Sequence, residues 1–262
     1  MFSPLLTFVQ ISDTHISPDP EYGKNHSAYG TQTSARALVK AVNALDFPID
    51  FVLHTGDVVY DPVAEAYQTA KDILGELRFP TYYLAGNHDH PLELQRQLLG
   101  SDKPQSSFHY TFEINGVQII CLDSNGPAEP PRGNIIPEQL TWLDSLCSAD
   151  DNRPLVVAVH HHALPVGSPW LDDYMRTING ETLHTVLQKS RHRLRGVFFG
   201  HVHQNIQMLK DGILYTSALS SWCQFHSWPG LADTVDDTGE PGFNVISLTR
   251  DQTFIRRWQF RV

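Results

Sequence analysis

Five times along this chain an apolar run stops at residues able to hold a metal ion. Residues 6–12 end at Asp13 and His15, and residues 51–53 lead to Asp57. Residues 81–84 lead to Asn87 and His88, residues 155–159 to His160, and residues 196–199 to His201 and His203. Short apolar runs bounded by turn residues read as buried strands. Between the first runs the apolar residues fall at helical spacing, as with Ala37, Leu38, Ala41, Val42 and Leu45 in residues 34–45, where Ser34 is the expected N-cap. A second helix is expected over residues 64–77. Strand, loop and helix in repetition describe a parallel sheet covered on both faces. Such sheets bind ligands at the carboxyl ends of their strands, so residues as far apart as Asp13 and His203 can meet in one crevice.

The rhythm then changes. After a short helix over residues 91–99, β-prone residues 108–114 and 117–122 flank Asn115-Gly116, the strongest short hairpin signal. Residues 125–137, rich in proline and glycine, form a loop, and Pro137 opens a helix at its first turn. A further helix is expected over residues 180–190. The remainder alternates strand and turn: residues 205–209, an Asp211-Gly212 turn, then residues 213–215, 243–248 and 253–260. No internal repeat or linker marks a boundary. The expectation is an α/β chain of four layers, two stacked mixed β-sheets flanked by helices, in a single domain over residues 1–262.

Composition narrows the partners. With 262 residues, 41% of them hydrophobic, the chain can bury a full core. A formal charge of −10 opposes long nucleic acids, whose binding rests on Lys and Arg neutralising phosphates. Cys121, Cys147 and Cys223 are too few and too scattered for a disulfide framework or a thiolate zinc site, which points to a reducing, cytoplasmic setting. Met1-Phe2-Ser3-Pro4 carries no basic leader region, and no apolar run approaches the roughly 18 residues of a membrane span.

Carboxylate, imidazole and amide donors without thiolate suit zinc, manganese or iron. Seven candidate ligands, Asp13, His15, Asp57, Asn87, His160, His201 and His203, are too many for one ion and suit two, with a shared carboxylate between them. Paired ions of this kind are the usual device for hydrolysing phosphate esters. In an extended segment residues i and i+2 face one side, so Asp13/His15 and His201/His203 are each expected to grip one metal region.

The ordered set Asp-x-His, Gly-Asp, Gly-Asn-His, His, Gly-His-x-His resembles the calcineurin-like metallophosphoesterases, across nearly the whole chain. The resemblance implies that fold, and it implies that Asp13, His15, Asp57 and His203 hold a first ion. Asp57, Asn87, His160 and His201 would hold a second, with Asp57 bridging. His88 matches the family's histidine that contacts the phosphate and assists the leaving group. A narrower resemblance, in residues 160–167, Trp170-Leu171-Asp172, Asn179-Gly180-Glu181 and Cys223-Gln224-Phe225, is to class III cyclic nucleotide phosphodiesterases. Ala163 departs from it where many relatives carry proline.

The implied enzyme is a phosphodiesterase using two divalent or trivalent metal ions (Fe, Mn or Zn) on a small phosphodiester, foremost a 3′,5′-cyclic nucleotide. Hydroxide derived from a bridging water would attack phosphorus in line. Asp57, Asn87 and His88 form the expected catalytic set, and Asn87, His88, His161 and His162 the expected substrate contacts, with His161 and His162 alternatively orienting the ligands. His54 is expected to pack at a strand end and Asp89 to hold its turn. Tyr22, His26 and Tyr29 sit in a loop expected to border the site, and Trp222, Phe225 and Trp228 form an aromatic cluster of the kind that is usually core or interface and only sometimes a base-stacking wall. Other phosphoesters remain alternatives: a glycerophosphodiester, a pyrophosphate or a phosphomonoester. A non-catalytic scaffold of the same fold is a further one, and a homodimer is left open.

Overall fold

The computed structural model describes residues 4–24, 26–230, 234–236 and 239–262, so Met1 to Ser3 of the expected leaderless start lie outside the described residues. Strands β1 (Leu6–Ile11), β2 (Phe51–His54) and β3 (Thr81–Tyr83) lie parallel and side by side. On the other flank of β1 the chain's last two strands, β12 (Gly242–Leu248) and β13 (Thr253–Gln259), add antiparallel, which makes a five-stranded sheet. The second sheet is built on the parallel run β5 (Val117–Cys121), β6 (Leu155–Ala158), β7 (Leu194–Phe199) and β9 (Ile213–Ser217). Antiparallel edges close it, β4 (Tyr110–Ile114) beside β5 and β8 (Gln207–Lys210) beside β9. Both sheets are therefore mixed, as expected.

Strand alternation explains the layers. In β1, Leu6 and Phe8 join Phe51, Leu53, Ile119, Val156 and Phe198 in a core drawn from both sheets. Phe8 stacks on Phe51 at 5.0 Å and meets Phe198 edge-on at 5.2 Å. Val9 and Ile11 instead pack with Leu38 and Val42 of helix α1 (Thr31–Asn43). A strand apolar on both faces is what a sheet covered on both sides requires. Helix α2 (Ala64–Leu74) packs Tyr67, Ala70 and Ile73 beside Ala35 and Val39 of α1. The second sheet's outer face is covered by Leu143 of α4 (Pro137–Cys147) and by Leu183 and Leu187 of α6 (Gly180–Gln188).

Two local expectations are corrected and two elements are added. Helix α1 starts at Thr31 after Gly30, and Ser34 lies inside it, where its hydroxyl donates to Ser221 O instead of capping. Residues 91–99 split into one α-turn, α3 (Pro91–Glu93), and a π-helical turn, Leu94–Leu98. The short helix α5 (Pro169–Tyr174) was not anticipated, nor was the two-stranded ribbon β10 (Gln224–His226) and β11 (Thr234–Asp236). Each is too short for a periodic signal to register. The hairpin at Asn115-Gly116 forms as expected, with φ of +53° and +74°. Among the described residues no helix is long and apolar enough to cross a membrane. The three cysteines are buried and unpaired.

Candidate metal centre

Beyond β1 and β2 the two chains keep running side by side. Asp13 N–H donates to Gly56 O, His15 N–H to Asp57 O and Ile16 N–H to Val58 O, each at 3.0 Å. This zipper sets Asp13, His15 and Asp57 next to one another at the sheet's carboxyl edge. The ends of β6 and β7 are tied likewise, by Gly200 N–H to His160 O at 3.0 Å. Asp13 then joins the sheets, since His201 N–H reaches both of its carboxylate oxygens at 3.1 Å. The segments are not extended, contrary to the i, i+2 argument. Asp13, His15, Asp57, His201 and His203 all adopt left-handed backbone, with φ from +45° to +69°. Such conformations cost about 1 kcal/mol or more per residue and persist where surrounding structure imposes them. Here they turn five side chains into one space.

Two glycines permit the crowding. A Cβ on Gly56 would lie 2.4 Å from His160 Nδ1, and one on Gly86 would lie 2.1 Å from Asp57 Oδ1. Gly86 is not at positive φ, so close approach is what requires glycine there.

The ligand atoms of Asp13, His15 and His203 lie within 4.8 Å of one another, as do those of Asp13, Asp57 and His160. His15 Nε2 and His203 Nε2 are 3.1 Å apart, and Asp57 Oδ2 is 3.7 Å from His15 Nε2 and 3.3 Å from His160 Nε2. Asn87 Oδ1 sits 3.2 Å from His160 Nε2. The far nitrogens are committed: His203 Nδ1–H donates to Cys223 O at 2.8 Å and His160 Nδ1–H to Thr55 O at 2.7 Å. Those bonds aim both Nε2 atoms inward, the usual orientation of metal-binding imidazoles. His201 Nε2 meets Met175 O at 3.1 Å, which leaves its Nδ1 for a ligand.

The electrostatics call for cations. Asp13 and Asp57 are buried, and among the described residues their ion-pair partners are imidazoles alone. Burial pushes the Asp57 carboxyl up, but His160, His88 and His15 outweigh it and hold it well below the usual carboxylate range. Asp13 is likewise lowered, burial being outweighed chiefly by His203. Burial holds His15 and His201 well below the usual imidazole range, so both present lone pairs. Against the effect of burial, Asp57 raises His160 to about 9 and Asp13 raises His203 well above the usual imidazole range. Two buried carboxylates amid converging imidazoles are a donor set that fits divalent ions, which would take the place of those protons.

A cavity of about 240 Å³ opens over this cluster, lined also by His26, Tyr60, His88, Trp222 and Phe225. His88 N–H donates to Asp57 Oδ1 at 2.9 Å and its Nδ1–H to Tyr60 O at 2.8 Å. Nε2 is thus the nitrogen left to meet a substrate. His161 and His162, expected to touch substrate, are 0% and 1% exposed and do not line the cavity. His161 is held by Ser124 Oγ at 2.7 Å and falls with His160 and His201 in a group of nitrogens within 4.8 Å. The backbone after β6 turns them behind His160, where Gly133 packs on the His161 ring. His54 packs as expected, its Nε2–H bonded to Thr14 Oγ1 at 3.0 Å. Asp89 also behaves as expected and accepts the backbone N–H groups of Gly86, Val58 and Val59 at 2.9–3.2 Å. Of the aromatic cluster, Trp222 and Phe225 line the cavity, whereas Trp228 is 68% exposed. Tyr29 stands away from the cavity, and Tyr60 had no signal in the sequence beyond its place three residues after Asp57.

The family model for calcineurin-like phosphoesterases matches residues 6–205, which span every strand end just described. The chain belongs to the calcineurin-like phosphoesterase family. Among its relatives is the 3′,5′-cyclic adenosine monophosphate phosphodiesterase CpdA of Escherichia coli K12, 30% identical over 94% of this chain and 86% of its own. The glycerophosphodiester phosphodiesterase GpdQ of Enterobacter lignolyticus is 31% identical over 76% of this chain and 71% of its own. The fold is shared with a dimetal phosphatase from Danio rerio, at a TM-score of 0.72 and 17% identity, over 99% of this phosphoesterase and 98% of that chain.

Proposed function

We propose that this phosphoesterase hydrolyses a 3′,5′-cyclic nucleotide to a nucleoside monophosphate, with one domain supplying the whole site. The observation that carries the reading is the charge of the cavity. Among the described lining residues there is no Lys or Arg, so the metal positions, helped only by histidines when protonated, supply the positive charge for a phosphate. That suits a diester, with one negative charge, better than a monoester or pyrophosphate with two or more. Relatives named for cyclic AMP and cyclic nucleotide hydrolysis, at 28–30% identity over more than nine-tenths of the chain, support it.

In this reading Asp13, His15, Asp57 and His203 hold one ion, and Asp57, Asn87, His160 and His201 the other. Bound there, the pair supplies a nucleophile at neutral pH and neutralises phosphoryl charge. Iron, manganese and zinc all suit the donors. His88 does the remaining work. With Nδ1–H given to Tyr60 O, the imidazolium form presents Nε2–H to the oxygen leaving phosphorus, as a general acid. The Asn87 amide stands beside it to orient the ester. Buried free thiols fit a cytoplasmic setting.

A second reading, a linear phosphodiester, draws on one feature. A separate cavity of about 400 Å³, lined by Asn87, His90, Asn125 and Arg132, opens on Asn87 and could take a second, polar arm. Parallel assays with cyclic AMP, a glycerophosphodiester, bis(p-nitrophenyl) phosphate and p-nitrophenyl phosphate separate the cases. The cyclic substrate should give the highest kcat/KM. Monoester hydrolysis equal to diester hydrolysis would overturn the diesterase reading.

A further inference from the structure

The cavity joins two kinds of surface. One is the carboxylate and imidazole cluster; the other is aromatic. Tyr60 lies 4.8 Å from the His88 ring, and Phe225 lies parallel to His203 at 4.2 Å. His26 stands exposed at the mouth, while Tyr60 and Phe225 are half-buried, so all three offer ring surface to a ligand. Trp222 braces them. It is 4% exposed, lies 5.9 Å from His26 and 6.4 Å from Tyr60, and donates its indole N–H to Gly23 O at 3.3 Å. A Cβ on Gly23 would come within 2.8 Å of that indole, so the loop carrying His26 is seated directly on it.

We propose that His26, Tyr60 and Phe225 form a subsite for a nucleobase, which is read by its faces and not by its edge. The inference rests on the functional reading only in placing the phosphorus at Asn87 and His88. Base recognition by edge needs paired donors and acceptors in fixed geometry, such as amides, carboxylates or guanidinium groups. Among the described lining residues the only amide and the only carboxylate are Asn87 and Asp57, both committed to the metal positions. Stacking is indifferent to which purine is present, because every base has a π-face. Adenine and guanine should therefore be accepted alike.

Inhibition of bis(p-nitrophenyl) phosphate hydrolysis tests this with the metal-loaded enzyme. AMP and GMP should inhibit with Ki values within about ten-fold of each other, and each about ten-fold or more below ribose 5-phosphate, the scale of one stacked base. His26→Ala and Phe225→Leu should each compress the ratio of ribose 5-phosphate Ki to AMP Ki several-fold, and His26→Phe should restore it. Equal inhibition by AMP and ribose 5-phosphate overturns the subsite, as does a preference above a hundred-fold between the purines. A ratio unmoved in both variants also overturns it. An enzyme that shows the base preference but cleaves no cyclic nucleotide upholds the subsite and overturns the functional reading instead.

Discussion

Asp57 carries more of the centre than any other residue. Its Oδ2 faces His15 and His160 from opposite sheets, its Oδ1 takes the N–H of His88, and its backbone is left-handed. Asp57→Ala should therefore lose bound metal and activity together. His88→Ala should keep its metal, because the proposed reading places His88 on the phosphate side, and lose roughly 10²–10⁴-fold in kcat. Metal analysis beside single-turnover assays on both variants checks the pair; full metal content in Asp57→Ala would refute the assignment. Gly86→Ala is a finer probe. Its Cβ would collide with Asp57 Oδ1, so the carboxylate must move, and metal content should fall while the circular dichroism spectrum is kept. The seven candidate ligands were legible in the sequence because each follows an apolar run. The backbone that aims them was not, since left-handed φ at an aspartate or histidine leaves no mark in residue type. For the same reason the burial of His161 and His162 behind His160 could not be read from three consecutive histidines.

Elements place the site through loops that lean on one another. Asp89 fastens the loop after β3 to the loop after β2, accepting one N–H from the first and two from the second. Tyr67 of α2 completes the arrangement by offering its hydroxyl to His90 N–H at 2.8 Å. Asp89→Asn turns one acceptor into a donor pointed at backbone N–H groups, which costs on the order of 1–3 kcal/mol. The variant should unfold at lower urea with an unchanged m-value, and its metal affinity should weaken because Asn87 and Asp57 sit on the two loops so joined. Unchanged metal affinity in a destabilised variant would separate the loop bond from the centre. Strands were the best-read elements: apolar runs between turn signals leave little choice. Helix ends were read less well. Ser34 has the chemistry of an N-cap, but tertiary contact with Ser221 takes its hydroxyl and Gly30 starts the helix instead. The β10–β11 ribbon and α5 are set by contacts with the cavity wall, such as Trp170 edge-on to Phe225 at 5.1 Å, and carry no period of their own.

At the scale of the whole molecule the centre is a seam between sheets. Asp13, His15, Asp57 and Asn87 come from the first sheet's edge, and His160, His201 and His203 from the second's. Beneath the seam the shared apolar core around Phe8 and Phe198 packs the sheets together. Above it lie two buried carboxylates whose ion-pair partners are imidazoles, with no lysine or arginine among the described lining residues. Removing metal should therefore leave the protein folded but weaken the end of the structure where the strands deliver their ligands. An ion held at a hundred times its Kd adds about 2.7 kcal/mol to stability. For a chain of this size that corresponds to a fall in Tm of roughly 5–10 °C per ion on chelation. Hydrogen exchange should locate the loss: amides at the ends of β1, β2, β6 and β7 should exchange faster after chelation, while those of Phe8, Phe51 and Phe198 stay protected. Re-adding manganese or zinc should reverse both effects in proportion to metal bound. A Tm indifferent to chelation, in protein shown to have lost its metal, would mean that the apolar core alone sets the stability of the seam.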